Sequence, residues 1–275
     1  GNLFANASLR RQFPDLPYAV EGETVPLSKG GSFIGHHILV PKRGVAVHIN
    51  AFNFPIWGML EKVAVNLLAG IPAVVKPSEY TSYLTELLLK EIIDSGILPD
   101  GSIQMVSGLG RGILDYVTSE DVITFTGSAH TGKKLKALPN ILENSVPFNL
   151  EADSLNATML GEDSGPGTAE FDLFVKSTRA EITVKAGQKC TAIRRILVPE
   201  KYMEDVQIAL GKQLAKTTIG DPSVEGVRMG PLASRTQVDR VRENVELLMK
   251  EQEVVYGDMD NFDIVGGDKE KGAFF

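Results

Sequence analysis

The chain has 275 residues, 43% of them apolar and 23% charged. That is the balance of an ordinary globular protein, long enough for one large domain or two smaller ones. A net charge of −7 without a dense basic run argues against nucleic acid as the main partner. The single cysteine excludes an intramolecular disulfide and fits a reducing cytoplasm; there is no Cys/His cluster for zinc and no apolar run of membrane-spanning length, so neither a metal nor a membrane partner is expected.

Residues 1–29 are mixed polar and rich in Pro and Gly, and they suggest no element. Ser32 to Val40 is β-prone and Pro41-Lys42-Arg43-Gly44 turns the chain, which predicts a projecting hairpin over 32–40. From Gly44 strands and helices alternate. Val45 to Ile49 reads as a buried parallel strand, and Trp57 to Leu68 as a buried helix ended by Gly70. Ala73-Val74-Val75 is the next strand, followed by a helix over Thr81–Asp94 whose apolar residues keep helical spacing. Ile103 to Val106 is a third strand, with a glycine turn Gly108–Gly112 and a short helix after it. Val122 to Phe125 is a fourth, leading through Gly127-Ser128 into a helix over Thr131–Ala137. The alternation predicts an α/β architecture with a parallel sheet covered on both faces. A second α/β layer begins near Glu151, with strands at Asn156–Leu160 and Arg194–Val198 and helices near 168–186, 201–217 and 234–251. The predicted division is therefore one α/β domain over 1–150 and a second over 151–275.

The candidate chemistry centres on Lys185-Ala186-Gly187-Gln188-Lys189-Cys190. A thiolate, not a thiol, is the nucleophile, and the cations Lys185, Lys189, Arg194 and Arg195 around Cys190 would favour it. Asn53, in apolar Asn50-Ala51-Phe52-Asn53-Phe54-Pro55, has the donor an oxyanion needs. Glu151 follows Phe148-Asn149-Leu150, and burial there would tune it toward a general base. Lys76-Pro77-Ser78-Glu79 directly follows a strand, where ligands of open α/β sheets sit, and would grip ribose hydroxyls. Phe125-Thr126-Gly127-Ser128 opens a helix whose first N–H groups would attract phosphate. The P-loop spacing from Gly127 to Lys133 fails at Lys134, where a hydroxyl should hold magnesium. The dinucleotide fingerprint from Gly108 fails at Ile113.

Taken together, Asn53 in its Asn-Phe-Pro turn, Lys76 to Glu79, Phe125 to Ser128 with Gly132, Glu151, and Gly187 to Cys190 resemble the aldehyde dehydrogenase superfamily in order and approximate separation. The resemblance spans about Gly44 to Phe275, including Gly220-Asp221-Pro222 and Met229-Gly230-Pro231-Leu232. The glycine pair usual after the base glutamate is replaced by Glu151-Ala152-Asp153-Ser154-Leu155-Asn156. This run is similar to the branch that oxidises semialdehydes of ring-opened acyl-CoA chains in aerobic phenylacetate and benzoate degradation. The resemblance implies a Rossmann-like cofactor domain followed by an incomplete catalytic domain. It also implies a thiohemiacetal and then a thioester on Cys190, an oxyanion held by Asn53 and the Cys190 N–H, and water activated by Glu151. Lys76, Ser78 and Glu79 would hold the adenosine ribose. Ile49, Asn50, Phe52, Gly110, Phe125, Gly127, Ser128, Gly132 and Ala152 would line the dinucleotide, with Lys76 counted in the catalytic set as well.

The implied cofactor is NAD or NADP: Glu79 would repel a 2′-phosphate, while the similar branch is associated with NADP. The implied partners are a CoA-linked aldehyde and further copies of the chain, joined through the hairpin as an oligomerisation arm. The opening glycine, the closing Gly272-Ala273-Phe274-Phe275 and the resemblance together lead one to expect a piece of a longer protein, inactive in isolation. Two other readings stay open. One is a thiol hydrolase or acyltransferase using Cys190 with His48 or His130 as base; the other is a nucleotide-binding module without catalysis.

Overall fold

The structure, a computed structural model, describes residues 1–275. Contacts divide it into two units, Gly1–Asp153 and Ser154–Phe275.

In the first unit, α1 (Asn2–Arg10) and β1 (Ala19–Pro26) occupy the stretch in which the sequence suggested no element. β1 pairs antiparallel with β2 (Ile34–Leu39), so the hairpin is real but its other arm lies before Ser32. β1 leaves all but its first residue exposed, so no apolar pattern marks it in the sequence. The body is a five-stranded parallel sheet of β3 (Ala46–Ile49), β4 (Ala73–Lys76), β5 (Ile103–Met105), β6 (Val122–Gly127) and β7 (Phe148–Ala152), in the order β5-β4-β3-β6-β7. The chain winds outward from β3 to β5, then returns to the other side of β3 for β6. The strand order therefore reverses between β3 and β6, the position where open α/β sheets form their ligand crevice.

Crossover helices α2 (Trp57–Leu68) and α3 (Ser82–Asp94) cover one face, where Met59, Val63 and Leu89 pack on Ala73, Val75 and Ile103. On the other face Leu114, Val117, Ile141 and Val146 pack on Val47 and Ile123. Residues 111–116 form successive turns where a short helix was expected; Gly110 and Gly112 at positive φ keep that segment from winding up. α4 (Ala129–Lys136) and the short α5 (Pro139–Glu143) lead to β7. Neither α5 nor β7 was evident in the sequence.

His48, with 2% of its surface exposed, sits inside β3. Its Nε2 lies 2.7 Å from Asn66 Oδ1 and its Nδ1 2.8 Å from Thr124 Oγ1, while Asn66 Nδ2 donates to Ile71 O. An amide oxygen only accepts, so Nε2 carries the proton and Nδ1 accepts from Thr124. Burial holds the imidazole below its ordinary value of 6.5, ahead of the opposing Asn66 bond. The unfolded chain therefore takes up the proton first as pH falls. His48 contributes its full stability above about pH 6.5 and loses it as pH falls toward the folded value. The melting temperature should drop as pH falls below about 6.5, and His48→Gln should flatten that slope.

The second unit builds its core on a two-stranded parallel sheet, β8 (Asn156–Met159) with β9 (Ile193–Leu197). Phe171, Phe174 and Val175 of α6 (Ala169–Thr183) and Val206 of α7 (Met203–Leu214) close over Leu160 and Ile196. Thr168 caps α6 by accepting from Phe171 N, with Glu170 and Asp172 in the first turn complementing the helix dipole. α8 (Arg235–Leu248) is capped by Ser234. No helix is long and apolar enough to cross a membrane.

Candidate active site

Register places the sequence candidates of the first unit on one edge. Ile49 pairs with Lys76 on one side and Phe125 on the other; Phe125, Thr126 and Gly127 pair with Leu150, Glu151 and Ala152. All lie at the carboxyl ends of their strands, and Asn50 N donates to Lys76 O just beyond the ladder. Lys76 is buried, and its ammonium pairs with Glu79 at 3.2 Å. The backbone N–H of Glu79 itself, and then Lys76, hold that carboxyl below the usual carboxylate range. Gly110, at φ 62°, lies so close to the Lys76 stem that a Cβ would stand 3.0 Å from Lys76 Cγ. The glycine turn after β5 and the Lys76–Glu79 pair thus share one place. Ser78 O accepts from Thr81 N, and Thr81 Oγ1 donates to Phe52 O, which ties the loop after β4 to the loop after β3. Asn53 is half-buried in the latter loop.

At the reversal between β3 and β6, Lys62 of α2 reaches across with its ammonium. It donates to Asn50 Oδ1 and Thr126 Oγ1, both at 2.7 Å, and Thr126 Oγ1 lies 3.5 Å from Glu151 Oε2. Burial pushes Lys62 below its ordinary lysine value, with Glu61 and Glu151 pulling the other way. Glu61 in turn is pushed up by burial. The buried Nδ2 of Asn50 meets no acceptor of the chain. Lys62 was missed in the sequence because Trp57–Leu68 reads as a core helix; a Glu-Lys pair inside that apolar run was the available signal.

Two expectations change here. Glu151 is exposed. It alternates with Leu150 and Ala152 along β7, and a period of two turns it away from the apolar neighbours that were expected to bury it. The N-terminus of α4 already holds an anion of the chain, since Ala129 N donates to Asp153 Oδ2 at 3.1 Å. Ser128 caps the helix from its side chain. A P-loop is excluded as well, because the helix starts two residues after Gly127 and leaves no loop to wrap a phosphate. Gly132 is buried, facing Leu150 and Phe125 with no space for a side chain, while Gly127 approaches the Phe125 ring.

In the second unit Cys190 is exposed at the end of a strained turn. Lys185 and Ala186 have φ of 57° and 51° and Gly187 follows at 70°. For residues with a Cβ this conformation costs roughly 1–2 kcal/mol each, so the surroundings must impose it. Asn156 Nδ2 donates to Cys190 O at 2.5 Å and to Ala192 O at 3.1 Å. Gln188 accepts from Ala233 N and donates to Lys185 O, and its Nε2 lies 3.5 Å from Pro231 O. The Met229–Leu232 segment therefore backs the cysteine turn. Two of the expected activating cations are engaged elsewhere: Lys189 pairs with Glu181 at 2.7 Å, and Arg194 donates to Gly187 O at 2.7 Å. Nearness in sequence did not show which way these side chains turn. As for a histidine base, both ring nitrogens of His48 are already bonded, and His130 is exposed on α4.

The sequence pattern of the aldehyde dehydrogenase family matches residues 6–275. A 3,4-dehydroadipyl-CoA semialdehyde dehydrogenase of Aromatoleum evansii is 47% identical over 254 residues, covering 92% of this chain and 49% of that protein. A crystal structure of betaine aldehyde dehydrogenase from Staphylococcus aureus, in complex with NAD+, superposes with a TM-score of 0.83 at 25% identity, over 100% of this chain and 51% of that one. An oxidoreductase from Marinobacter aquaeolei, 24% identical, shares the fold at a TM-score of 0.79. The chain thus spans about half the length of the relatives it matches.

Proposed function

The chain belongs to the aldehyde dehydrogenase family, and from that premise we propose that it serves the NAD- or NADP-dependent oxidation of an aldehyde to a carboxylic acid, with cofactor binding in residues 1–150 and catalysis in 151–275. The observation that carries the reading is the row of Ile49, Asn50, Lys76, Phe125, Gly127 and Ala152 at the carboxyl ends of parallel strands, with the order reversal in its midst. The residues fit a dinucleotide. Lys76 and Glu79 offer a donor and an acceptor to ribose hydroxyls, and Gly110, having no side chain, packs directly on the Lys76 stem. Near the reversal stand an unpaired amide N–H on Asn50 and the cation of Lys62.

In this reading the Cys190 thiolate adds to the aldehyde carbon, forming a C–S bond and leaving the charge on oxygen. Asn53 Nδ2 and the Cys190 N–H donate to that oxygen. The bound nicotinamide supplies one thing, acceptance of the hydride that the aldehyde carbon gives up. Cys190 then holds the acyl group as a thioester. Glu151, exposed and acceptor to Thr126, takes a proton from water as the water oxygen attacks the acyl carbon. The C–S bond breaks, and acid and thiolate separate.

The substrate we propose is a CoA-linked semialdehyde from aromatic degradation, supported by the name of the 47% identical relative, in a cytoplasmic enzyme. The apolar residues Val20, Val25, Ile34 and Ile38 exposed on the β1–β2 hairpin support assembly of like subunits through that arm. The test is reduction of NAD+ or NADP+ on mixing a CoA-linked semialdehyde with the chain and, in parallel, with a longer protein that contains it. Turnover by the longer protein supports the reading, and equal turnover by the chain alone would end the expectation that it is inactive in isolation. Appearance of free CoA with no reduction would instead support a hydrolase. A separate expectation concerns cofactor choice. Removing the Glu79 charge by Glu79→Gln should raise affinity for NADP+ relative to NAD+ by about fivefold, the scale of one partly exposed charge pair. Titrating both dinucleotides against Trp57 fluorescence checks it.

A further inference from the structure

Lys189 and Cys190 are neighbours in sequence but face different ways. The Lys189 side chain is 11% exposed, folded back so that its ammonium meets Glu181 near the end of α6, whereas Cys190 is open to solvent. Between the two partners the chain makes the left-handed run Lys185-Ala186-Gly187. That run would relax unless its two ends were held. Asn156 and Arg194 hold single carbonyls of the turn, and the Glu181–Lys189 pair ties it back to the helix that delivers it.

We propose that the Glu181–Lys189 ion pair is the positioning clasp of Cys190, keeping the turn closed so that the sulfur stays outward. Lys189 acts through geometry and not as a charge beside the sulfur, because its cation is spent on Glu181. Loss of either partner lets the left-handed run unwind, and the thiol then spends part of its time turned in. The proposal rests on Cys190 being the nucleophile only for its consequence in turnover. Its test uses neither aldehyde nor dinucleotide, so the two readings fail separately.

Because Cys190 is the only cysteine of the chain, its alkylation by iodoacetamide can be followed by intact mass on the whole protein from about pH 7 to pH 9.5. Lys189→Met and Glu181→Gln should each slow the reaction at least about threefold, by the same factor at every pH, and the double variant should be no slower than either single one. Lys189→Arg, which keeps the pair, should react like the parent. Circular dichroism confirms folding, and the near-isosteric Glu181→Gln keeps the test valid should Lys189→Met unfold. Curves displaced along the pH axis in opposite directions by the two substitutions would overturn the proposal in favour of a charge acting on the sulfur. Unchanged rates with only a lowered melting temperature would reduce the pair to a structural one and overturn it equally.

Discussion

Cys190→Ala is expected to lower nicotinamide reduction with a CoA-linked semialdehyde by at least about a thousandfold, while dinucleotide affinity stays within about twofold. The asymmetry follows from where the groups stand. The dinucleotide candidates Lys76, Glu79, Gly110 and Phe125 belong to the first unit, and the thiol to the second. A variant without the sulfur keeps the strand-end row intact and loses the only thiol that can carry an acyl group. Stopped-flow absorbance gives the rate and a fluorescence titration the affinity. Retention of turnover in Cys190→Ala would end the covalent reading. The histidines offer little substitute, since His48 is bonded at both nitrogens inside β3.

Gly132→Val should be the more damaging of the substitutions that leave every proposed reacting group in place. Gly132 lies in the first turn of α4, buried against Leu150 and the Phe125 ring, and a Cβ there would overlap the Leu150 side chain. Leu150 precedes Glu151 on β7, and Phe125 is the strand partner of both Ile49 and Leu150. Overpacking of this kind costs about 1–3 kcal/mol, and relief requires α4 or the ends of β6 and β7 to shift. Both outcomes are measurable: a lower midpoint in urea unfolding, and dinucleotide affinity weakened by about tenfold. A fully tolerated valine would show that α4 does not need to approach the sheet at this point.

What could be read in the sequence, and what could not, separates along physical lines. β3, β4, β6, α2 and α3 are legible because both faces of a parallel sheet are covered, so strands appear as unbroken apolar runs and helices as apolar stripes between them. β7 was missed as a strand because Phe148-Asn149-Leu150-Glu151-Ala152 alternates, as befits an edge, and ends beside residues that look like loop. The same alternation explains the error over Glu151: an apolar neighbour in sequence was taken for an apolar neighbour in space. α1 and β1 have no buried side chain and so no core-facing pattern to read. Among the site residues, those in glycine or proline turns were visible, since the backbone needs them wherever the fold is drawn. Lys62 was not, because its task depends on Asn50 and Thr126 being brought to opposite sides of one crevice. The same holds for Glu181, which matters only once α6 has carried it alongside Lys189.

The most direct measurement is the mass of the Cys190 peptide after the protein is mixed with a CoA-linked semialdehyde, quenched in acid and digested. The account predicts an acyl adduct on Cys190 that forms only when oxidised NAD or NADP is present and that accumulates in Glu151→Gln, where release of the acid is slowed. An adduct that forms equally without dinucleotide, or none at all in Glu151→Gln while acid is still produced, would contradict it.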